Sequence, residues 1–350
     1  MARRTHRKRR GRSRDDWARL GDDKLLDLRF SDLRLTLESS PVAERIAQLY
    51  EELASRKIRF RPHCWLAEEW FSADGVPGFA IPFYLAHPRL AKLEYRQMFD
   101  IEGGAPPHCM QLLRHETGHA IMSAFRLHRR AICRKTFGRF SRRYPRYYTP
   151  RPESRNFVLH LDRWYAQSHP AEDFAETFAV WLSSPSQWQR EYWGWPALRK
   201  LQVMDELMSG IARRWPPVKT REKVEPLAGL RKTLREHYEE KRTHYGIKVP
   251  AIYDADLLRV FARMKPDGGQ RTTAASFLRR ISPRLCRACA RGTGEHPYTV
   301  AQIVKEMIFR CRKLRLYLYR TDQATYMEVA VFVSVLLLNY LHRIRHRIPV

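Results

Sequence analysis

The segment QLLRHETGHAIMSA (residues 111–124) constrains this chain most, because it sets two histidines four residues apart with a glutamate directly after the first. On an α-helix, residues i and i+4 lie on one face, so His115 and His119 can both offer a ring nitrogen to one tetrahedral zinc ion (Zn2+). Glu116 then flanks the fourth coordination position. With 14 histidines in 350 residues, chance alone produces this HExxH spacing in roughly 3% of such chains, so the metal hypothesis needs a further ligand.

The best source of a third ligand is the segment WYAQSHPAEDFAETFAVWL, residues 164–182. Pro170 suits a first helical position, which predicts a helix from Pro170 to Ser183. At about 100° per residue, Glu172 and Glu176 share one face. A buried pair of carboxylates is costly unless a cation or hydrogen-bond donors compensate for it. We therefore predict Glu172 as a zinc ligand and Glu176 as the partner that orients a ligand histidine.

The opposite face of the same predicted helix is aromatic, with Phe174, Phe178 and Trp181. We expect this face to pack into the core, while the small residues Ala175 and Ala179 let the glutamate face approach the HExxH helix closely. The alternative is a solvated acidic stripe.

Other ligand sets stay open. His160 and His169 lie near the proposed site and are candidates to replace Glu172. A third histidine in the continuation typical of metzincins is excluded, because Met122 and Phe125 occupy the positions that Gly and His would take. Tyr165 lies seven residues before Glu172, where a phenol can hydrogen-bond the oxyanion formed at a reacting carbonyl; the alternative is a packed aromatic side chain.

The net charge of +28 points to an anionic neighbour. The first fourteen residues, MARRTHRKRRGRSR, supply eight positive charges and no negative one, which leaves +20 on the rest of the chain. Such a run predicts a disordered tail. Nucleic acid or another polyanion is therefore a possible partner of the tail and of the basic surface, including the Arg- and Tyr-rich loop of residues 134–155.

The sequence argues against a membrane-spanning helix and against a disulfide-bonded framework. The most apolar run, residues 329–341, is short of the roughly 20 residues that span a bilayer, so we expect a buried helix there. Six cysteines thinly spread over the chain, without a secretory signal, indicate a reducing cytoplasmic location. The CRAC segment is a lone CxxC pair, for which a structural zinc completed by His296 and Cys311 is less favoured than free thiols at Cys286 and Cys289.

Hydrophobic periodicity predicts an α+β fold. We expect strands in residues 25–38, 57–71 and 78–90, and helices in residues 41–56 and 197–213. Residues 214–226 are rich in proline and charge, which predicts a linker, and the chain beyond them is mainly helical.

The segments RHETGHA, WYAQSHPAEDFAETFAVWL and DGVPGFAIPFYLAHPRL closely resemble a bacterial family, the putative zinc-binding metallopeptidases, over residues 25–215. The pairing of HExxH with a downstream Glu is also similar to the lethal-factor type of gluzincin. An N-terminal cysteine-rich ribbon found in some relatives is replaced here by the basic tail. The resemblance implies that His115, His119 and Glu172 are zinc ligands. It also implies that Glu116 is the general base and that Tyr165 is the oxyanion stabiliser.

Together, these observations predict a zincin-like catalytic domain, with a small sheet plus active-site helices, followed by a mainly helical C-terminal domain. The predicted bounds are 1–16 for the tail, 17–215 for the zinc metallopeptidase domain and 216–350 for the helical domain. The predicted reaction is hydrolysis of a peptide bond by a zinc-activated water with Glu116 as base, and residues 78–85 offer a strand edge to the peptide or protein substrate. The alternatives are a nucleic-acid-binding protein with an inactive or secondary protease-like domain, and a protease that acts on DNA-bound proteins.

Overall fold

The computed structural model describes residues 16–183, 187–246, 254–263, 272–344 and 348–349, with side chains described up to residue 339. The predicted tail lies outside these residues except for Asp16, which begins a short 3-10 helix. The helices are α1 (Asp22–Leu26), α2 (Ala43–Ser55), α3 (Pro88–Met98), α4 (Pro106–Ala124), α5 (Ala131–Phe137), α6 (Pro170–Ser183), α7 (Trp188–Glu191), α8 (Ala197–Ile211), α9 (Leu234–His244), α10 (Asp254–Val260), α11 (Ala274–Thr293), α12 (Pro297–Lys313) and α13 (Asp322–Ile344). The predicted α+β architecture with a helical C-terminal region is confirmed.

The sheet beside the site has two parallel strands, β1 (His63–Ala67) and β2 (Gly78–Pro82), paired in register from His63 opposite Gly78. Both strands are shorter than predicted. The segment after β2 turns into a 3-10 helix and then α3, because Pro88 starts a helix that the His87 side chain caps by accepting a hydrogen bond from the Arg89 N–H. A second pair, β3 (Tyr147–Tyr148) with β4 (Ile348–Pro349), is antiparallel.

The strand predicted in residues 25–38 is wrong. The chain forms the end of α1 there and a 3-10 helix at Phe30–Leu33. Its buried side chains are Leu25, Leu26, Phe30 and Leu33, which follow helical and not alternating spacing.

Three predicted helices are confirmed, as α2, α6 and α8. In α2 the buried residues Ile46, Leu49 and Leu53 fall at positions i, i+3 and i+7.

Helices α4 and α6 pack closely and carry the site between them. A Cβ atom placed on Gly118 of α4 would lie 2.7 Å from the Cα of Ala175 in α6, so only a glycine fits this contact. The close approach predicted for the face with Ala175 is confirmed, and the aromatic face of α6 is buried as expected, with Phe174 and Phe178 fully inaccessible.

The described residues form two large hydrophobic cores and a small third cluster of Trp65, Ala67, Val76 and Ala80 beside the β1–β2 sheet. The first runs from Trp17 to Tyr238 and includes Leu227 and Leu234, while the second runs from Leu257 to Leu337. The division at residue 215 stays a prediction.

Helix α13 covers the apolar run of residues 329–341 and is buried on one face only. Val329, Val333 and Leu337 are inaccessible, whereas Val331 and Val335 are exposed, so the helix predicted there forms and is buried through one face. Within the described segments, no helix has the length and apolarity that a membrane crossing requires.

Candidate metal centre and active-site cleft

Three ligand atoms from α4 and α6 converge on one point. Nε2 of His115 lies 3.0 Å from Oε2 of Glu172, Nε2 of His119 lies 3.1 Å from the same oxygen, and the two Nε2 atoms are 3.1 Å apart. His115 and His119 are one helical turn apart, so both rings lie on the same face of α4. The close contact at Gly118 brings Glu172 of α6 near both rings. The structure thus brings together the three residues predicted as ligands.

Glu176 fixes the orientation of the first histidine. Nδ1 of His115 donates to Oε1 of Glu176 at 2.7 Å, and the other oxygen of Glu176 accepts the backbone N–H of Leu161 at 2.8 Å. Since Nδ1 carries the proton in this arrangement, the Nε2 lone pair of His115 points at the converging atoms. Glu176 is fully buried, so its two partners compensate for its desolvation.

The electrostatics of these groups favour a cation. Burial acts against the charged forms, yet hydrogen bonds with Glu172 and Glu176 raise the pKa of His115 well above its ordinary value. Burial likewise raises the pKa of Glu172, but the charge of His119 and the hydrogen bonds from both histidines lower it well below the usual range. The two carboxylates therefore stabilise positive charge at the point where the side chains meet.

The three atoms also fit a zinc ion in size. In a triangle with sides of about 3.1 Å the corners lie about 1.8 Å from the centre, so a point about 1.1 Å off the plane is about 2.1 Å from every corner, a normal zinc–ligand distance. No other group of three metal-binding side chains of this kind occurs in the described part of the chain.

Glu116 lies beside this cluster and is held by a residue that the sequence did not single out. The Ser72 hydroxyl donates to Oε2 of Glu116 at 2.7 Å. Ser72 belongs to the segment between the two strands predicted in residues 57–71 and 78–90, for which the sequence indicated no role in the site. Glu116 is 7% exposed and lines the cleft, so its carboxylate can meet a bound molecule.

Tyr165 reaches the site from a strained segment. Its ring centroid is 5.7 Å from that of His115, and burial together with the carboxylates of Glu172 and Glu116 raises its pKa, so the phenol stays protonated. The two residues before it, Arg163 and Trp164, have left-handed backbones with φ of 63° and 54°. A left-handed backbone at a residue other than glycine costs on the order of 1–3 kcal/mol of conformational strain, and such strain is common at functional sites.

Tyr144 is a second tyrosine in the cleft and was missed by the sequence analysis. Its hydroxyl donates to Oε1 of Glu172 at 2.7 Å, and its ring stacks on His169 with centroids 3.8 Å apart. The hydrogen bond occupies the oxygen that does not face the histidines, which leaves Oε2 for a metal. Nothing in the Arg- and Tyr-rich loop sequence distinguished this tyrosine from its neighbours.

The cleft has a volume of about 200 Å³. Its lining comes from the segment of residues 70–74, from α4 with Met122 and Ser123, and from Tyr144 and Tyr165.

The alternative ligands point elsewhere. Nε2 of His160 pairs with the Gln111 carbonyl at 3.0 Å, and His169 pairs with the backbone of Arg142 and Ala171. The predicted alternative zinc site in the C-terminal region does not form among the described residues. Its cysteines lie in the second core, where burial raises the pKa of Cys286 to about 11 and that of Cys311 to about 12, so both remain thiols.

Comparison with known proteins agrees with the geometry. The model of the family described as "Putative zinc-binding metallo-peptidase" matches residues 109–191. The predicted resemblance to that family is confirmed. The match covers about a quarter of the chain, less than the predicted 25–215, but it contains all six residues proposed from the sequence for the site. No curated protein and no solved structure matches the chain significantly, and the comparisons give no support to the nucleic-acid alternative.

Proposed function

We propose that this protein is a zinc-dependent peptidase whose active site lies between α4 and α6. The observation that carries the proposal is the convergence of His115, His119 and Glu172 on one point, with the Glu116 carboxylate next to it. Three protein ligands leave a coordination position open, which is the arrangement of catalytic and not of structural zinc.

The ion is proposed to be held by Nε2 of both histidines and Oε2 of Glu172. When bound there, zinc supplies Lewis acidity: it lowers the pKa of water to about 7 and polarises a carbonyl group. Glu176 keeps His115 in the tautomer that presents Nε2, and Tyr144 keeps Glu172 turned so that Oε2 faces the histidines.

Glu116 is the proposed general base. It takes the proton from the attacking water and later delivers a proton to the leaving amine. The Ser72 hydrogen bond fixes one carboxylate oxygen, which leaves the other free for this transfer. Ser72 therefore acts by positioning Glu116.

Tyr165 is the proposed oxyanion stabiliser. Its phenol lines the cleft and keeps its proton because its pKa is raised, so it can donate a hydrogen bond to a carbonyl oxygen as negative charge develops there. The tether from the Tyr148 hydroxyl to the Arg163 carbonyl, 2.7 Å long, supports the strained turn that aims Tyr165.

We propose a different edge for the substrate than the strand edge predicted from the sequence. The Ala80 N–H of β2 donates to the Phe71 carbonyl at 2.8 Å, so the expectation that residues 78–85 offer a free edge is wrong at that residue. Residues 70–74 lie between β2 and the cleft and form its wall. We propose that an extended peptide runs along this wall. A cytoplasmic location stays a prediction; all six cysteines are free thiols, as a reducing compartment requires.

Comparison of the wild type with Glu116→Gln tests the proposal. Both zinc-loaded proteins are incubated with a library of proteome-derived peptides, and new N-termini are identified by mass spectrometry. The wild type should generate new termini, and Glu116→Gln should lose most of this activity while it keeps zinc, because Glu116 is not a ligand. Equal cleavage by both proteins would show that this site does not carry the activity.

A further inference from the structure

The loop that follows α5 forms one wall of the cleft and is fastened to the site at two points. The Tyr144 hydroxyl donates to Glu172. His169 accepts the Ala171 N–H at Nδ1, so its Nε2 carries the proton and donates to the Arg142 carbonyl at 2.8 Å. These two hydrogen bonds and the ring stack of Tyr144 on His169 set the position of the loop relative to the cleft.

This wall is strongly basic. Residues 139–151 contain five arginines and no acidic residue, and all five arginines are exposed: Arg139, Arg142, Arg143, Arg146 and Arg151. Across the described segments, none of the five forms an ion pair with an acidic side chain. Their charge is therefore available to a bound molecule.

Three of these arginines are close in sequence to Tyr144, which lines the cleft. Arg143 directly precedes Tyr144, and Arg142 and Arg146 are two residues from it, so their Cα atoms lie within about 7.6 Å of a residue that lines the cleft. An arginine side chain spans much of this distance, and the Debye length at physiological salt is about 8 Å, so the three charges act on a molecule in the cleft. The segment of residues 70–74 contributes Asp74 to the lining of the same cleft, so the cleft also carries a negative charge.

We propose that the cleft takes peptide segments with acidic side chains on the side of residues 139–146, and that Arg142, Arg143 and Arg146 select them. The inference rests on the proposed peptidase function and names its substrate class. A peptide is favoured over a nucleic acid because the cleft beside the arginines is small, about 200 Å³, and is lined by the proposed metal ligands and by the negative charge of Asp74.

Binding to the full-length, zinc-loaded Glu116→Gln protein tests this proposal without turnover. The probes are three fluorescein-labelled peptides of equal length on an Ala/Gly background, with three Glu, three Gln or three Lys residues, and the readout is fluorescence anisotropy at physiological salt. Because three exposed ion pairs can form, the Glu peptide should bind about tenfold more tightly than the Gln peptide. The Lys peptide should bind most weakly.

Two variants with equal loss of charge distinguish the wall from the overall positive field. The triple change Arg142→Gln, Arg143→Gln and Arg146→Gln keeps Tyr144 and the backbone carbonyl of residue 142, and it should reduce the preference for Glu over Gln to within about twofold. The control changes exposed residues of α11 and α12 and should keep the preference: Arg279→Gln, Arg312→Gln and Lys313→Gln.

Equal affinity for the Glu and Gln peptides, or an equal loss of preference in the control, would overturn the proposal. A competition with an oligonucleotide of matched charge can also overturn it. If the oligonucleotide displaces the labelled Glu peptide at a concentration tenfold lower than the unlabelled peptide does, and loses this advantage in the arginine variant, the arginines bind nucleic acid instead. Selective binding without any cleavage by the wild type would refute the peptidase function alone. Cleavage without selectivity would refute the acidic preference alone.

Discussion

Gly118 is the residue whose change should disturb the site most without touching a proposed ligand. In Gly118→Ala the new Cβ would lie 2.7 Å from the Cα of Ala175 and 3.1 Å from its carbonyl oxygen. Carbon atoms in contact lie about 3.5–4.0 Å apart, so α6 would have to move away from α4 by about 1 Å. The obstructing atoms belong to the backbone of a buried helix, so no side-chain rotation can relieve the clash.

Two magnitudes follow from this displacement. Overpacking of this kind costs about 1–3 kcal/mol, and alanine recovers about 1 kcal/mol of helix propensity, so the free energy of unfolding should fall by up to about 2 kcal/mol. Glu172 lies one turn before Ala175 on the moving helix. Because metal–ligand distances tolerate only about 0.2 Å, a shift of about 1 Å should weaken zinc binding at least about tenfold.

Urea denaturation of the zinc-free protein and zinc competition with a chelating dye measure the two effects. Gly210→Ala in α8 is the matched control, because the nearest atom to its new Cβ would be a guanidinium nitrogen of Arg130 at 3.8 Å. The control should leave the zinc affinity unchanged and the stability equal or slightly higher. If Gly118→Ala matched the wild type in stability and bound zinc within a factor of two, the close approach of the helices would not be what builds the site.

Three further predictions concern single side chains near the cleft. Tyr144→Phe removes a hydrogen bond to a charged oxygen of Glu172 and should weaken zinc binding about tenfold in the same dye assay; an unchanged affinity would contradict its positioning role. Tyr165→Phe should lower kcat by about 10²–10³ with little change in zinc affinity, and a rate within threefold of the wild type would exclude the oxyanion role. Burial raises the pKa of Asp173 to about 7 in spite of Lys200 at 2.7 Å. The folded state therefore keeps a proton that the unfolded carboxyl loses, so this residue makes the free energy of unfolding fall as pH rises from about 4 to about 7. Asp173→Asn should flatten that slope in urea denaturation of the zinc-free proteins at about pH 5 and about pH 7.5, and parallel wild-type and variant slopes would contradict it.

The sequence predicts the candidate site well because its geometry is largely helical. A spacing of four places His115 beside His119 and Glu172 beside Glu176, and the structure adds only the packing of one helix on the other. The sequence also predicted, from Ala175, that the face of α6 toward α4 carries small side chains.

Residues that reach the site from loops could not be predicted in the same way. Ser72 and Tyr144 arrive through turns whose path depends on tertiary contacts, such as the stack of Tyr144 on His169. The wrong prediction of a strand in residues 25–38 has a different cause. A short apolar run is compatible with both strand and helix periodicity, and here the helical spacing is the one that packs side chains into the first core.

Titration of zinc into the metal-free chain tests the central claim most directly. Isothermal calorimetry should give about one zinc ion per chain for the wild type and for Glu116→Gln, whereas Glu172→Ala should bind at least about tenfold more weakly. A wild type that takes up no zinc, or a Glu172→Ala variant that binds it as tightly as the wild type does, would contradict the assignment of the metal centre to His115, His119 and Glu172.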